Sequence, residues 1–458
     1  MLVIVSDLHL GDGTCGQSIS PDAFNIFGDR LRTMAYSASW RKDGKYRPIE
    51  TIDLLFLGDI FEVLHSTCWL DGGPEGSKAV KPWHDPESPA YAQKLDEITD
   101  AILEHNAEGL TVLKRMVQGD SVRILPADNR GNPARGTTER FEVKVRPFYV
   151  VGNHDWLYHL PGNEYDNIRK KIVQGMNLTN LATPFPHDPS ESEQLLELYK
   201  QYGVYARHGD IFDAFNYNAE LGRNASTLGD ALAIEVLNRF PVEVQQRMGD
   251  SMPEEFYTNL RELVNVRPAL ATPLWVSAQL RKSRQDIARE DEVKAIWDEL
   301  GERFLNLGFV RAHDQRWNPF DSVDMLEMVL KFSRRTSFET INDLVIWIQE
   351  KLWGGDISFS RHALAEEVFK QRSARFIVYG HIHNHEIIPL DTFFDGSSWV
   401  DQIYANTGTW RTYHDLTIYK PEEQKFVPYH VMSYLVFYKD DERRGRRFEA
   451  WSGALSRD

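Results

Sequence analysis

Cysteine is scarce in this 458-residue chain: Cys15 and Cys68 are its only two, and no C-x-x-C pair occurs. A disulfide framework and a thiolate metal site are therefore excluded, and a reducing compartment is the simpler expectation. Long apolar runs are missing too. No stretch approaches the roughly 18 residues of a spanning helix, and the opening run, Leu2 to Val5, is too short and lacks the basic flank of a secretory signal. A cytoplasmic location without a transmembrane segment is expected. Positive charge is in short supply, since 52 Lys+Arg against 68 Asp+Glu leave a net charge of -16, which disfavours an extended nucleic acid as partner. Internal repeats and low-complexity tracts are also absent from the sequence.

What remains is globular in kind. A chain with 42% hydrophobic and 26% charged residues can bury a core without staples, and its length suits about three domains or one large domain with insertions. Short apolar runs recur, each ending in polar side chains able to bind metal. Leu2 to Val5 leads to Ser6-Asp7-Leu-His9, and Ile52 to Leu57 leads to Gly58-Asp59. Phe148 to Val151 leads to Gly152-Asn-His-Asp155, and Phe376 to Tyr379 leads to Gly380-His-Ile-His383. These read as buried strands with a possible common site beyond their carboxyl ends. Helical stretches lie between them, at Leu95 to Met116, Glu191 to Tyr202 and Ser360 to Arg372, so the fold class expected is α/β.

From about 216 to 373 strand signals nearly vanish. Amphipathic stretches at Ala231 to Arg239, Ser277 to Leu300, Val323 to Phe332 and Ile341 to Leu352 predict a helical insertion there. It divides a core of 1–215 and 374–440, leaving 441–458 as a C-terminal tail, while Asp120 to Thr138 reads as a loop or hairpin excursion.

Taken in order, Asp7-Leu-His9, Gly58-Asp59, Gly152-Asn-His-Asp155, His208-Gly-Asp210 and Gly380-His-Ile-His383 resemble the five recognition blocks of the calcineurin-like metallophosphoesterase family. The resemblance implies a four-layer α-β-β-α sandwich and two divalent cations, Mn2+ foremost, with Fe, Zn or Co as alternatives. It implies one cation on Asp7, His9, Asp59 and His383, and a second on Asp59, Asn153, His208 and His381. A bridging water, acidified to hydroxide, would attack phosphorus. His154 would protonate the leaving group, with Asp155 bonding its ring, and Asp210 would serve His208 in the same way.

Imidazole and carboxylate donors suit those metals, and residues at i and i+2 of an extended chain face one side, as in Asp7/His9 and His381/His383. Arg411, soon after the last block, is a candidate substrate contact. Glu62, His65, Trp69, Trp156 and Tyr158 stay open between pocket lining and packing. The basic run Arg443 to Arg447 reads as a solvated face.

The activity expected is hydrolysis of a phosphodiester or pyrophosphate, nucleotide-linked substrates being among those it admits. Within the family the wording is most similar to the branch containing UDP-2,3-diacylglucosamine pyrophosphatase, from which His154 and the long insertion depart. Two other readings are a DNA exonuclease of the same family and a non-catalytic scaffold that uses the insertion for partner or self-association.

Overall fold

In the computed structural model the residues described are 1–70, 79–119, 121–267, 271–283, 287–313, 359–417 and 425–454. The predicted helices Val323 to Phe332 and Ile341 to Leu352 lie outside them. Two mixed sheets form the core. In the larger, β1 (Leu2–Val5), β2 (Thr51–Leu57) and β5 (Lys144–Val150) run parallel, and β1 also pairs antiparallel with β12 (Phe426–Phe437). In the smaller, β6 (Val204–Ala206) and β8 (Phe376–Tyr379) are parallel, followed by β10 (Trp399–Thr407) and antiparallel β9 (His385–Phe394).

Alternation within each strand decides what each face buries. Leu2, Ile4, Leu55, Leu57, Phe148 and Val150 meet Val204, Ala206, Phe376, Val378 and Ala405, so the two sheets pack face to face. Val3, Val5, Leu54, Phe56 and Tyr149 point the other way, onto helices α1 (Pro21–Ala38), α2 (Pro89–His105), α3 (Ala107–Val117) and α4 (Asn163–Met176). The far face of the smaller sheet carries Ile377, Tyr379 and Tyr404 against Ala363, Phe359 and Phe212. The fold is thus α/β, with helices and mixed sheets in layers.

Several boundaries differ from the sequence reading. The stretch Leu95 to Met116 is two helices, because the Asn106 side chain donates to Ile102 O at 2.7 Å and Gly11 O at 2.8 Å, competing with the backbone at the join. Ser360 to Arg372 likewise splits, into Ser360–Ala365 and Glu367–Lys370. The excursion after Asp120 holds a small hairpin, β3 (Arg123–Ile124) with β4 (Phe141–Glu142).

The tail expected at 441–458 is corrected by β13 (Phe448–Ala454), which pairs antiparallel with β12 from Phe448↔Phe437 to Ala454↔Val431. Phe448 and Ala450 pack on the inter-sheet core, and Trp451 on the helical side.

The insertion has its own core, built from Leu228 to Val310. Its described helices are α5 (Leu228–Leu232), a π-helix at Ala233–Asn238, α6 (Arg239–Met248), α7 (Glu254–Arg261), α8 (Thr272–Lys282), α9 (Ile287–Leu305) and α10 (Gly308–Ala312). Two of its ties to the main body run through the core and the sheet. Ala233 and Ile234 join the core under the larger sheet, and β7 (Val266–Arg267) pairs in parallel with β11 (Thr412–Leu416), a strand the helical reading of 216–373 did not anticipate.

Candidate metal centre

Because β1, β2 and β5 are parallel, and β6 and β8 are parallel, their carboxyl ends deliver the polar blocks to one edge of the sheet pair. The loops there are stitched backbone to backbone: Asp7 N donates to Gly58 O at 3.1 Å, His9 N to Asp59 O at 2.9 Å and Gly380 N to His208 O at 2.8 Å. Five of the seven expected ligands, Asp7, His9, Asp59, His381 and His383, hold positive φ between 49° and 70°. For side-chain-bearing residues this is strained backbone, which persists where the surroundings over-determine it, typically at functional sites. Glycine is required beside them. A Cβ on Gly152 would lie 2.3 Å from Asp59 Oδ1, and one on Gly380 would lie 2.6 Å from Ser6 Oγ and 2.7 Å from Asp7 Oδ2.

All seven expected ligands come together. Donor atoms of Asp7, His9, Asp59 and His383 lie within 4.8 Å of one another, as do those of Asp59, His208 and His381. Asn153 joins the second group, its Oδ1 being 2.9 Å from His381 Nδ1 and 3.2 Å from His208 Nε2. Asp59 stands between the groups, with Oδ2 3.2 Å from His208 Nε2 and 3.9 Å from His9 Nε2, while its Oδ1 accepts from His154 N at 2.7 Å.

The donor set fits cations. Asp7 Oδ1 is buried and accepts no hydrogen bond, a costly state for a carboxylate oxygen unless a positive charge faces it. His208 donates Nδ1–H to Leu57 O at 2.9 Å, so Nε2 is the nitrogen that faces Asp59 and Asn153. Burial works against charge on His208, yet the Asp59 and Asp7 carboxylates hold its ring well above the usual imidazole range. The two carboxylates thus favour positive charge at the His208 position. Nitrogen and oxygen donors without thiolate suit Mn, Fe, Zn or Co, and the donors alone do not choose among them.

Two expected roles are corrected. Asp155 does not hold the His154 ring. It is buried beneath the loops, where its carboxylate accepts from Gly152 N at 2.6 Å, Ile60 N at 2.8 Å, Phe61 N at 3.2 Å and Tyr149 OH at 2.5 Å. It is a bracket for the loops after β2 and β5. Asp210 similarly faces His187 Nε2 at 3.0 Å and the Arg223 guanidinium rather than the His208 ring.

The residue that does hold His154 is Glu62, fully buried, with Oε1 2.7 Å from His154 Nδ1 and Oε2 2.8 Å from His9 Nδ1. Arg411, the candidate substrate contact, is buried and donates to Glu62 Oε2 at 2.8 Å, which makes it a counter-charge for that carboxylate. Burial opposes charge on His154, but Glu62 and Asp59 carry it up to about 9. His9 goes the other way, burial bringing it to about 3 against the pull of Glu62.

Asp213 was also missed; its Oδ2 lies 3.1 Å from His381 Nε2. A signal existed. Gly58-Asp-Ile-Phe-Glu62 and Gly209-Asp-Ile-Phe-Asp213 are the same word ending in an acid, and in both loops that acid braces a histidine of the expected ligand set. Among the open candidates, Trp69, Trp156 and Tyr158 are packing residues, and His65 bonds Asn238 of the insertion at 2.7 Å.

The chain matches no protein-family model and no curated protein.

Proposed function

We propose that this chain is a metal-dependent phosphohydrolase of the calcineurin-like kind, acting on a phosphodiester or pyrophosphate bond. One observation carries the reading: five chain segments, from Asp7 to His383, deliver two nitrogen- and oxygen-donor groups that share the Asp59 carboxylate, with His154 alongside. The succession of helices, sheet, sheet and helix is compatible with that family's four-layer sandwich.

Asp7, His9, Asp59 and His383 would hold one cation, and Asp59, Asn153, His208 and His381 the other. Bound there, a cation pair supplies Lewis acidity toward phosphoryl oxygens and lowers the pKa of water. Asn153 contributes an oxygen without a charge, so Asp7 and Asp59 are the only carboxylates in the expected ligand set, and positive charge is left over for an anionic phosphoryl group. Glu62 fixes the histidine tautomers. With Nδ1 of His154 and of His9 both turned to its carboxylate, Nε2 is the nitrogen each presents to the site. In His154 that Nε2 is the atom from which a proton passes to the leaving oxygen.

The test is an assay on protein stripped with a chelator and reloaded with Mn2+, using bis-p-nitrophenyl phosphate, p-nitrophenyl phosphate, a UDP-linked pyrophosphate and labelled DNA. Metal-dependent turnover of the diester or the pyrophosphate is expected, reduced about 10²- to 10⁴-fold by His154→Ala. Preference for the monoester over every diester and pyrophosphate would overturn the reading. Tight metal content with no turnover would leave a scaffold.

A further inference from the structure

The helical insertion sends Arg267 into the metal centre, and its chemistry conflicts with the ligand it touches. Arg267 ends β7, paired with Asp415 of β11, so its backbone is fixed in the larger sheet. Its Nη1 donates to Val266 O at 2.9 Å and Val264 O at 3.3 Å, and its Nη2 to Nδ1 of His383 at 2.9 Å. A guanidinium offers donors only, so Nδ1 accepts and the proton of neutral His383 sits on Nε2. Yet Nε2 is the atom facing Asp7 Oδ1 at 3.3 Å and His9 Nε2 at 2.9 Å, inside the donor group. A cation held by that nitrogen needs its lone pair, which sends the ring proton to Nδ1, donor against donor with Arg267. The guanidinium arm then has to leave the ring.

That arm has no competing destination among the described residues. Among the described residues Arg267 has no ion-pair partner within 4.0 Å, it is partly exposed, and its Nη1 is held by the Val266 carbonyl, which leaves Nη2 with the His383 ring as its contact. The other guanidinium of the centre, Arg411, is buried and committed to Glu62.

Resting on the phosphohydrolase reading, we infer that Arg267 is a substrate-positioning residue: with the cation site at His383 filled, its Nη2 turns from the ring to an oxygen of the substrate's phosphoryl group. The insertion thereby contributes a charge to substrate binding as well as a covering surface. A planar guanidinium suits phosphate oxygens, and the contact is charge-assisted.

The experiment uses the full chain with Arg267→Met, and Arg267→Gln as the variant that keeps a donor for the Val266 carbonyl should the first fail to fold. Inorganic phosphate is titrated calorimetrically into Mn2+-loaded protein, Mn2+ into metal-free protein, and KM and kcat are measured on bis-p-nitrophenyl phosphate. Phosphate affinity is expected to fall about 10- to 100-fold, KM to rise more than kcat falls, and Mn2+ affinity to stay equal or tighten, since the ring is no longer held as an acceptor. Unchanged phosphate affinity overturns the assignment, and so does weakened Mn2+ binding with phosphate affinity kept, the mark of a residue that only braces His383. Wild-type protein that binds Mn2+ and phosphate yet cleaves no phosphoester sinks the hydrolase reading. Wild-type turnover with an indifferent Arg267→Met sinks this assignment alone.

Discussion

Glu62 takes four hydrogen bonds without contact with solvent: from His9, His154, Arg411 and the backbone N of His65. Glu62→Gln removes the charge and turns one acceptor into a donor, leaving Arg411 buried without its counter-ion. The expected cost is about 3–5 kcal/mol, read as a lowered urea midpoint with unchanged slope. His154 and Asp155 separate by the same logic, although they are adjacent. His154→Ala removes a partly exposed ring and should reduce turnover while the melting temperature stays near wild type. Asp155→Ala strands the N–H groups of Gly152, Ile60 and Phe61 and the Tyr149 hydroxyl, so stability should fall by several times the roughly 1 kcal/mol of one hydrogen bond. Equal melting curves for the two variants would contradict the assigned roles. At this scale the expected ligands were legible because each follows a short apolar run and sits in a distinctive Gly/Asp/His block. Glu62 and Asp213 were legible only as a repeated word, and what an acid does depends on which histidine lies above it after folding.

Among the elements, β13 shows where local pattern fails. Phe448-Glu-Ala-Trp-Ser-Gly-Ala454 alternates weakly and contains a glycine, so nothing local marks it as a strand. Pairing with β12 makes it one. A chain ending after Tyr438 loses the packing of Phe448 and Trp451, about 3 kcal/mol for two partly buried aromatic side chains, and bares the β12 edge. Lower denaturant midpoint and concentration-dependent aggregation are expected; a soluble truncation of wild-type stability would make 441–458 a tail after all. Gly380→Ala tests the loop after β8. Its methyl would meet Ser6 Oγ and Asp7 Oδ2, so Mn2+ affinity should fall, measured by calorimetry, with the sheet intact by circular dichroism. The helices were legible through period 3.6 and their ends less so, since the break at Asn106 depends on a carbonyl of Gly11 in another loop.

For the molecule as a whole, the candidate centre ties the two sheets, so filling it should stabilise the fold. At a hundredfold excess over Kd a cation contributes about 2.7 kcal/mol. The melting temperature should therefore rise with Mn2+ and return on chelation, and identical melts in both conditions would remove the metal centre. Among the described residues no helix is long and apolar enough to cross a membrane, and Cys15 and Cys68 are free thiols.

The α/β class, the strand tips and the seven donors were in the sequence, because periodicity and residue chemistry are local properties. Which acid braces which ring, that the last strand belongs to the sheet, and that an arginine of the insertion reaches His383 were decided by tertiary structure. Each depends on pairing between separate segments, and the residue pattern inside one segment does not name its partner.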